Sequence, residues 1–232
     1  MAKLRLEITK GEEIRYISHL DYAGALERAI RRAKLPAMYS EGFNPHMKLA
    51  FASALAVGVT SEAEYLDVEL TGEIGAAVLQ NRLSASLPQG ILIKRAQYMP
   101  DRSPALMAVV NMAEYKVTAP ILPGNDFAKI EDCIRLFNAA SEVLYTKESP
   151  KGKREINIKQ YIFSNAEIIR AQEMLELKLA IRVTPTGSVK PGEVLTALVN
   201  LYGLPVDKNA ALIHRTGLYV TDKNLRLSPL EL

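Results

Sequence analysis

The chain opens on a strict alternation. In "KLRLEIT", residues 3–9, Leu4, Leu6 and Ile8 alternate with Lys3, Arg5 and Glu7. Period two predicts a strand with one buried face and one solvated face. The spacing then becomes helical: Leu20, Ala23, Leu26, Ile30 and Ala33 predict a helix over residues 18–34 that Pro36 ends. Short strands are expected over 36–40 and 47–55, turned by "EGFNPH", and "EYLDVEL" alternates Leu66, Val68 and Leu70 as a further strand. A helix over 74–87 and the strand "ILIKRAQY" close the first half. Strand-helix-strand-strand-helix-strand is the ferredoxin-like order.

The second half repeats that order, though not those residues. "AEYKVTA" reads as a strand, 126–139 as a helix, "EINIKQYIF" and "EMLELKLAIRV" as strands, 191–201 as a helix begun by Pro191, and 211–220 as a last strand. The predicted fold class is therefore α+β, with two ferredoxin-like (βαββαβ) lobes in tandem, residues 1–98 and 112–232. Residues 99–111, "MPDRSPALMAVVN", carry two prolines and no apolar period, and predict the connection.

Composition narrows the chemistry. With 232 residues, 48% of them hydrophobic and 24% charged, the chain can bury a substantial core. No apolar run is long enough for a membrane span and no signal core follows the start, so a cytoplasmic protein without membrane attachment is expected. The single Cys133 forms no internal disulfide and cannot alone hold an iron-sulfur cluster. Cys133 borders the apolar face of Phe127, Ile130, Ile134 and Phe137, where it reads as core. Three histidines and one cysteine have no zinc spacing, and His214 lies in an apolar strand. Asp67 and Glu69, with Glu62 and Glu64 nearby, read as partners for arginines rather than as ligands of a divalent ion. No metal and no cofactor are expected.

The net charge of +3 is small but uneven. Residues 1–50 carry 9 basic and 6 acidic groups and residues 151–200 carry 8 and 5, whereas residues 51–150 carry 8 and 12. Local fields steer association more than totals do, so the two basic stretches are candidate surfaces for a polyanion.

The first stretch holds "RYISHLDYAGALERAIRRAKLPAMYSEGFNPHMKLAFASAL". Ser18 and Asp21 fit a helix N-cap, the Ser18 hydroxyl accepting from the Asp21 amide. His19, at the first helical position, is expected to point outward, where the helix dipole disfavours its protonated form and a neutral ring can act as a base or a hydrogen-bond donor. Arg28, Arg31 and Arg32 share one face a turn apart, a repulsive set unless solvated or facing phosphates. In "SEGFNPHMK", Gly42 and Asn44-Pro45 set a turn, and Phe43 stands between them with His46 and Lys48 close by. An aromatic platform beside cations is how single-stranded nucleic acid is held.

The second stretch, "TKESPKGKREINIKQYIF", puts Lys151, Lys153 and Arg154 in a loop that leads to Asn157, Lys159 and Tyr161 on one expected strand face. In "TPTGSVKPGEVL", Gly187, Ser188 and Lys190 precede a helix start, where free amides can receive phosphate. The spacing is not that of a P-loop.

These motifs carry a resemblance. "YISHLD", the arginine-rich helix, "YSEGFNPHMKLAFASALAVGVTSEAEYLDVEL", "KGKREINIKQYI" and "TPTGSVKPGEVL" together resemble the bacterial radical-SAM-linked domain of unknown function, through nearly the whole chain. Met47 departs from that motif, which has a second proline after the histidine. The resemblance implies a separate radical-SAM protein as partner. More distantly, two ferredoxin-like halves with basic and histidine residues resemble the CRISPR repeat-processing endoribonucleases. The expected function is RNA binding, acting with or presenting substrate to a radical-SAM enzyme in RNA modification, without activity of the isolated chain. The alternatives are a metal-independent endoribonuclease using His19 and His46, and a protein-interaction module of a radical-SAM system.

Overall fold

The structure is a computed structural model that describes residues 2–100, 102–149, 152–184, 187–222 and 225–232. It is a mixed α+β fold with a large, mostly antiparallel sheet and, among the described residues, five α-helices. None of those helices is long and apolar enough to cross a membrane. The chain divides into two units, residues 1–111 with 217–232, and residues 112–216.

Unit 1 runs β1 (Ala2–Lys10), α1 (His19–Arg32), β2 (Leu49–Phe51), β3 (Val59–Leu70), α2 (Ala76–Ser84), β4 (Ile93–Met99) and a single turn, α3 (Leu106–Val109). β1 pairs antiparallel with both β3 and β4, and β2 pairs antiparallel with the Leu66–Val68 part of β3, giving the order β4-β1-β3-β2. The core joins Leu4, Leu6 and Ile8 to Leu66, Val68, Leu70, Leu79 and Leu83. The buried face of α1 is Tyr22, Leu26, Ala29 and Ile30, rotated from the expected one: Leu20 is 81% exposed and Tyr22 1%. The Tyr22 hydroxyl stays satisfied there by donating to Thr9 O at 2.7 Å.

The polar face of β1 departs further from the expected pattern. Arg5 is wholly buried and Glu7 nearly so. Arg5 lies in a bidentate pair with Asp67, Nε to Oδ1 at 2.7 Å and Nη2 to Oδ2 at 2.8 Å. It also donates to Pro229 O at 2.6 Å and Pro104 O at 3.2 Å, so the connection and the C-terminal end lie across this face. Glu7 accepts from Arg95 at 2.5 Å. Residues 217–232, expected with the second lobe, accordingly group with unit 1. Residues 99–111 do so as well, with Asn111 bonded to Thr221 in both directions at 2.8 Å.

Unit 2 runs β5 (Met112–Pro120), α4 (Phe127–Ala139), a hairpin of β6 (Leu144–Ser149) and β7 (Gly152–Asn157), then β8 (Glu167–Ala171), β9 (Met174–Arg182), α5 (Pro191–Tyr202) and the start of β10 (Leu212–Asp222). β10 pairs with β11 (Leu225–Leu227) where it has passed into unit 1. The sheet order in unit 2 is β10-β5-β9-β8, with β6-β7 apart from it. Here "EINIKQYIF" is not the sheet strand expected. The Asn157 side chain accepts from Val143 N at 3.1 Å and Lys159 N at 3.0 Å, which ends β7 and starts a 3-10 turn, Ile158–Tyr161. The edge strand begins later, at Glu167.

Between the pairs Ile162↔Ile181 and Glu167↔Lys178, residues 163–166 stand opposite only 179 and 180. This is a β-bulge, and Asn138 of α4 fixes it: its Nδ2 donates to Ala166 O and its Oδ1 accepts from Ala166 N, both at 2.9 Å. Asn138→Ala strands both peptide groups of the buried Ala166, and is expected to cost about 1–3 kcal/mol in chemical denaturation.

Candidate nucleic-acid interface

The site is built around the start of α1 and the hairpin that follows its end. Lys10 continues the parity of Leu4, Leu6 and Ile8 into the interior, where its Nζ donates to Arg15 O at 2.9 Å and Ile17 O at 3.2 Å. Burial lowers its pKa, opposed by the nearby Glu64 carboxylate. Arg15 is buried as well, held by Glu12 (Nε to Oε2 at 2.7 Å) and donating from Nη1 to Gly58 O at 2.7 Å, while Gly58 N donates back to Arg15 O at 3.0 Å. Gly58 has φ +82°, which a side chain would strain. The turns before α1 and before β3 are thereby locked together. Neither Lys10 nor Arg15 was singled out from the sequence; the parity of Lys10 was the available signal.

On this base Ser18 caps α1, accepting from Asp21 N at 3.1 Å. The Asp21 carboxylate accepts from the Ser18 hydroxyl at 2.6 Å. His19 is half-buried, its ring edge-on to Phe51 of β2 at 4.8 Å and 74°. Packing sets its orientation, whereas the sequence suggested a ring pointing outward.

Residues 38–48 form the hairpin. Tyr39 bridges Met47, Ser40 N donates to His46 O at 2.8 Å, Lys48 N to Met38 O at 2.8 Å, and His46 N to Ser40 Oγ at 3.0 Å. Gly42 takes φ +121° at its tip. Met47 is buried in the core of unit 1, so the residue after the histidine anchors the hairpin. Phe43 is 107% exposed, on a backbone cross-linked on both sides. His46 is exposed and lies five residues before Phe51 along a largely extended segment, so the two histidines sit at opposite ends of β2.

The arginines divide. The Arg32 guanidinium donates to Ser86 O at 2.6 Å, tying the end of α1 to the segment after α2. Arg28 is exposed and folds over Gly24, whose added Cβ would stand 3.2 Å from Arg28 Nη1. Arg31 is exposed near the helix end, about 18 Å along the axis from His19 by helical rise. The chain passes from there through the Ala37↔Leu70 bridge into the hairpin. Lys48 pairs with Glu69 at 3.3 Å.

The basic stretch of unit 2 is more structural than expected. Lys151 lies outside the described residues. Lys153 and Arg154 are exposed on β7, opposite Glu148 and Lys147. Asn157 is spent on the turn. Lys159 donates to Phe137 O at 3.0 Å and Asn138 O at 3.2 Å, closing the end of α4, and burial lowers its pKa. Tyr161 is half-buried in the 3-10 turn. At α5, Ser188 Oγ donates to Arg182 O at 2.8 Å. Gly187 bridges Thr184 at φ +137°. Lys190 N donates to Glu193 Oε2 at 2.8 Å, and Lys147 pairs with that carboxylate at 3.0 Å. The helix start thus already holds its own anion.

Asp67 is consumed by Arg5, and no cluster of metal-binding side chains occurs among the described residues. Cys133 is buried, its Sγ donating to Tyr202 O at 3.0 Å, and burial raises its pKa.

The class defined is thus a mixed α+β protein that presents an exposed aromatic ring and arginines on a rigid support. Residues 3–191 match the family described as an uncharacterized protein conserved in bacteria (DUF2344), and the chain belongs to that family. No curated protein matches it. In fold it is similar to a chain in the crystal structure of a Cbf5-Nop10-Gar1 complex, at TM-score 0.54 and 10% identity, covering 95% of this protein and 50% of that chain. A chain of the archaeal box H/ACA sRNP Nop10-Cbf5 complex matches at TM-score 0.45 and 9% identity, covering 92% and 46%. The protein therefore spans about half the length of either.

Proposed function

We propose that the protein binds RNA through unit 1, with Phe43 as a stacking platform and Arg28 and Arg31 as exposed cations on α1. The observation that carries this reading is Phe43, a phenyl ring wholly in water on a hairpin whose flanking residues are bonded and whose Met47 is anchored. Exposing that ring has a solvation cost that an unstacked base can relieve. His46, exposed on the same hairpin, adds a hydrogen-bonding ring.

A separate radical-SAM protein in the cytoplasm is the proposed recipient of the RNA, on the strength of the motif resemblance. The strand orders β4-β1-β3-β2 and β10-β5-β9-β8 support the reading of two ferredoxin-like lobes, the second with an inserted hairpin.

Titration of labelled cellular RNA at two salt concentrations tests the function. Binding is expected to weaken steeply with salt, with a log–log slope of about −0.7 for each phosphate neutralised on a single strand. Absence of binding at low salt would remove the proposal.

A further inference from the structure

We propose that unit 2 carries a second site, a pocket for a single ribonucleotide 5′-monophosphate. The proposal does not rest on the RNA reading of the unit 1 hairpin. A concavity of about 400 Å³ opens on the sheet beside the bulge at 163–166, a volume within the range of small-molecule sites. Bulges re-aim side chains beside binding sites, and this one is held rigidly by Asn138.

Its floor is unusual in charge. Lys116 and Lys178 stand directly opposite each other across the antiparallel β5-β9 pair. Like charges in register repel, and here Glu176 beside Lys116 and Glu167 opposite Lys178 offset the repulsion in part. Lys116 reaches Glu176 at 3.5 Å, but Lys178 makes no ion pair among the described residues. Ala180 lies between the lysines and the bulge and keeps the floor low. Two ammonium groups over a low floor suit a phosphate dianion.

The rim supplies the other two chemistries. Ser164 and Asn165 are exposed on the bulge, and their side chains form no hydrogen bond to the other described residues. An amide with both donor and acceptor matches the edge of a base. Of the two carboxylates at the pocket, Glu114 is engaged within the protein. Glu167, in register with Lys178, remains to accept from a ribose diol, as acidic residues do in dinucleotide sites. Cation, carboxylate and amide in one cavity fit phosphate, ribose and base together better than they fit any one alone.

Calorimetric titration of the full chain decides. The probes are the four ribonucleoside 5′-monophosphates, their 2′-deoxy forms, ribose 5-phosphate, inorganic phosphate and RNA trinucleotides. At least one ribonucleotide should saturate the protein, with its deoxy form and inorganic phosphate several-fold weaker. Lys116→Ala and Lys178→Ala should each weaken it by about tenfold. Glu167→Gln should erase the ribo-over-deoxy preference, and Ala180→Leu should block the pocket while thermal unfolding shows the fold intact. Binding of the free nucleotide as tightly as the trinucleotide marks a small-molecule source, and preference for the trinucleotide marks RNA. Phe43→Ala should leave all of this unchanged, which separates this site from the hairpin. No saturation by any probe, equal binding of inorganic phosphate and nucleotides, or indifference to both lysine changes would overturn the assignment.

Discussion

Asp67→Ala is expected to destabilise the protein by about 3–5 kcal/mol, the cost of leaving a buried charge without its partner. Arg5 has a fully buried side chain and Asp67 one that is 7% exposed. After the substitution the guanidinium would keep only carbonyl acceptors, Pro229 O and Pro104 O, and no water could reach it without prising the connection and the C-terminal end off the sheet. Against a total of about 5–15 kcal/mol for a typical domain, that loss is large. Replacing both residues by apolar ones of similar size, Arg5→Met with Asp67→Leu, is expected to recover most of it, because the desolvation cost disappears with the charges. Urea denaturation of the single and double variants checks this. A single variant within about 1 kcal/mol of the parent would mean that the pair is not dry.

The same pair shows where the sequence stops being legible. Alternation located β1 and its apolar side, but period two says only that the other face differs in polarity, not that it meets water. Arg5 is buried by residues 99 and 224 positions away, and no local pattern carries that information. On α1, apolar spacing favoured Leu20 over Tyr22, because a tyrosine's fitness for the interior depends on a hydroxyl partner, here Thr9 O, supplied by another element. The Ser18 cap was legible because it is closed within four residues.

In unit 2 the strand pattern of "EINIKQYIF" was overridden by one amide side chain, Asn157, which offered the backbone a turn in place of a ladder. The true edge strand begins after the bulge, and the opposition of Lys116 and Lys178 depends on the β5-β9 register, which no local pattern carries. Of the candidate nucleic-acid residues, Arg32, Lys159 and Asn157 proved to be spent on backbone groups. A cation beside a helix end is as well suited to a carbonyl as to a phosphate, and composition alone does not separate the two.

Phe43→Ala is expected to weaken RNA binding by about 1–3 kcal/mol, the range for loss of one base stacked on an aromatic ring. The structure makes this a clean test, because a ring that is 107% exposed contributes nothing to the core and its removal should leave the unfolding midpoint in place. Met47, buried at the base of the hairpin, supplies the contrast: Met47→Ala removes packing and should lower stability by about 2–5 kcal/mol. Arg28→Ala with Arg31→Ala should act differently from either. Binding should fall for all sequences alike and the salt slope should flatten by about 0.7 for each phosphate no longer neutralised on a single strand. Phe43→Ala, by comparison, should leave the slope unchanged because stacking releases no counterions. Fluorescence anisotropy across a salt series, paired with thermal melts of each variant, separates the two contributions. A Phe43→Ala protein that melts early but binds as before would place the ring in the fold and take the stacking platform away from the proposed function.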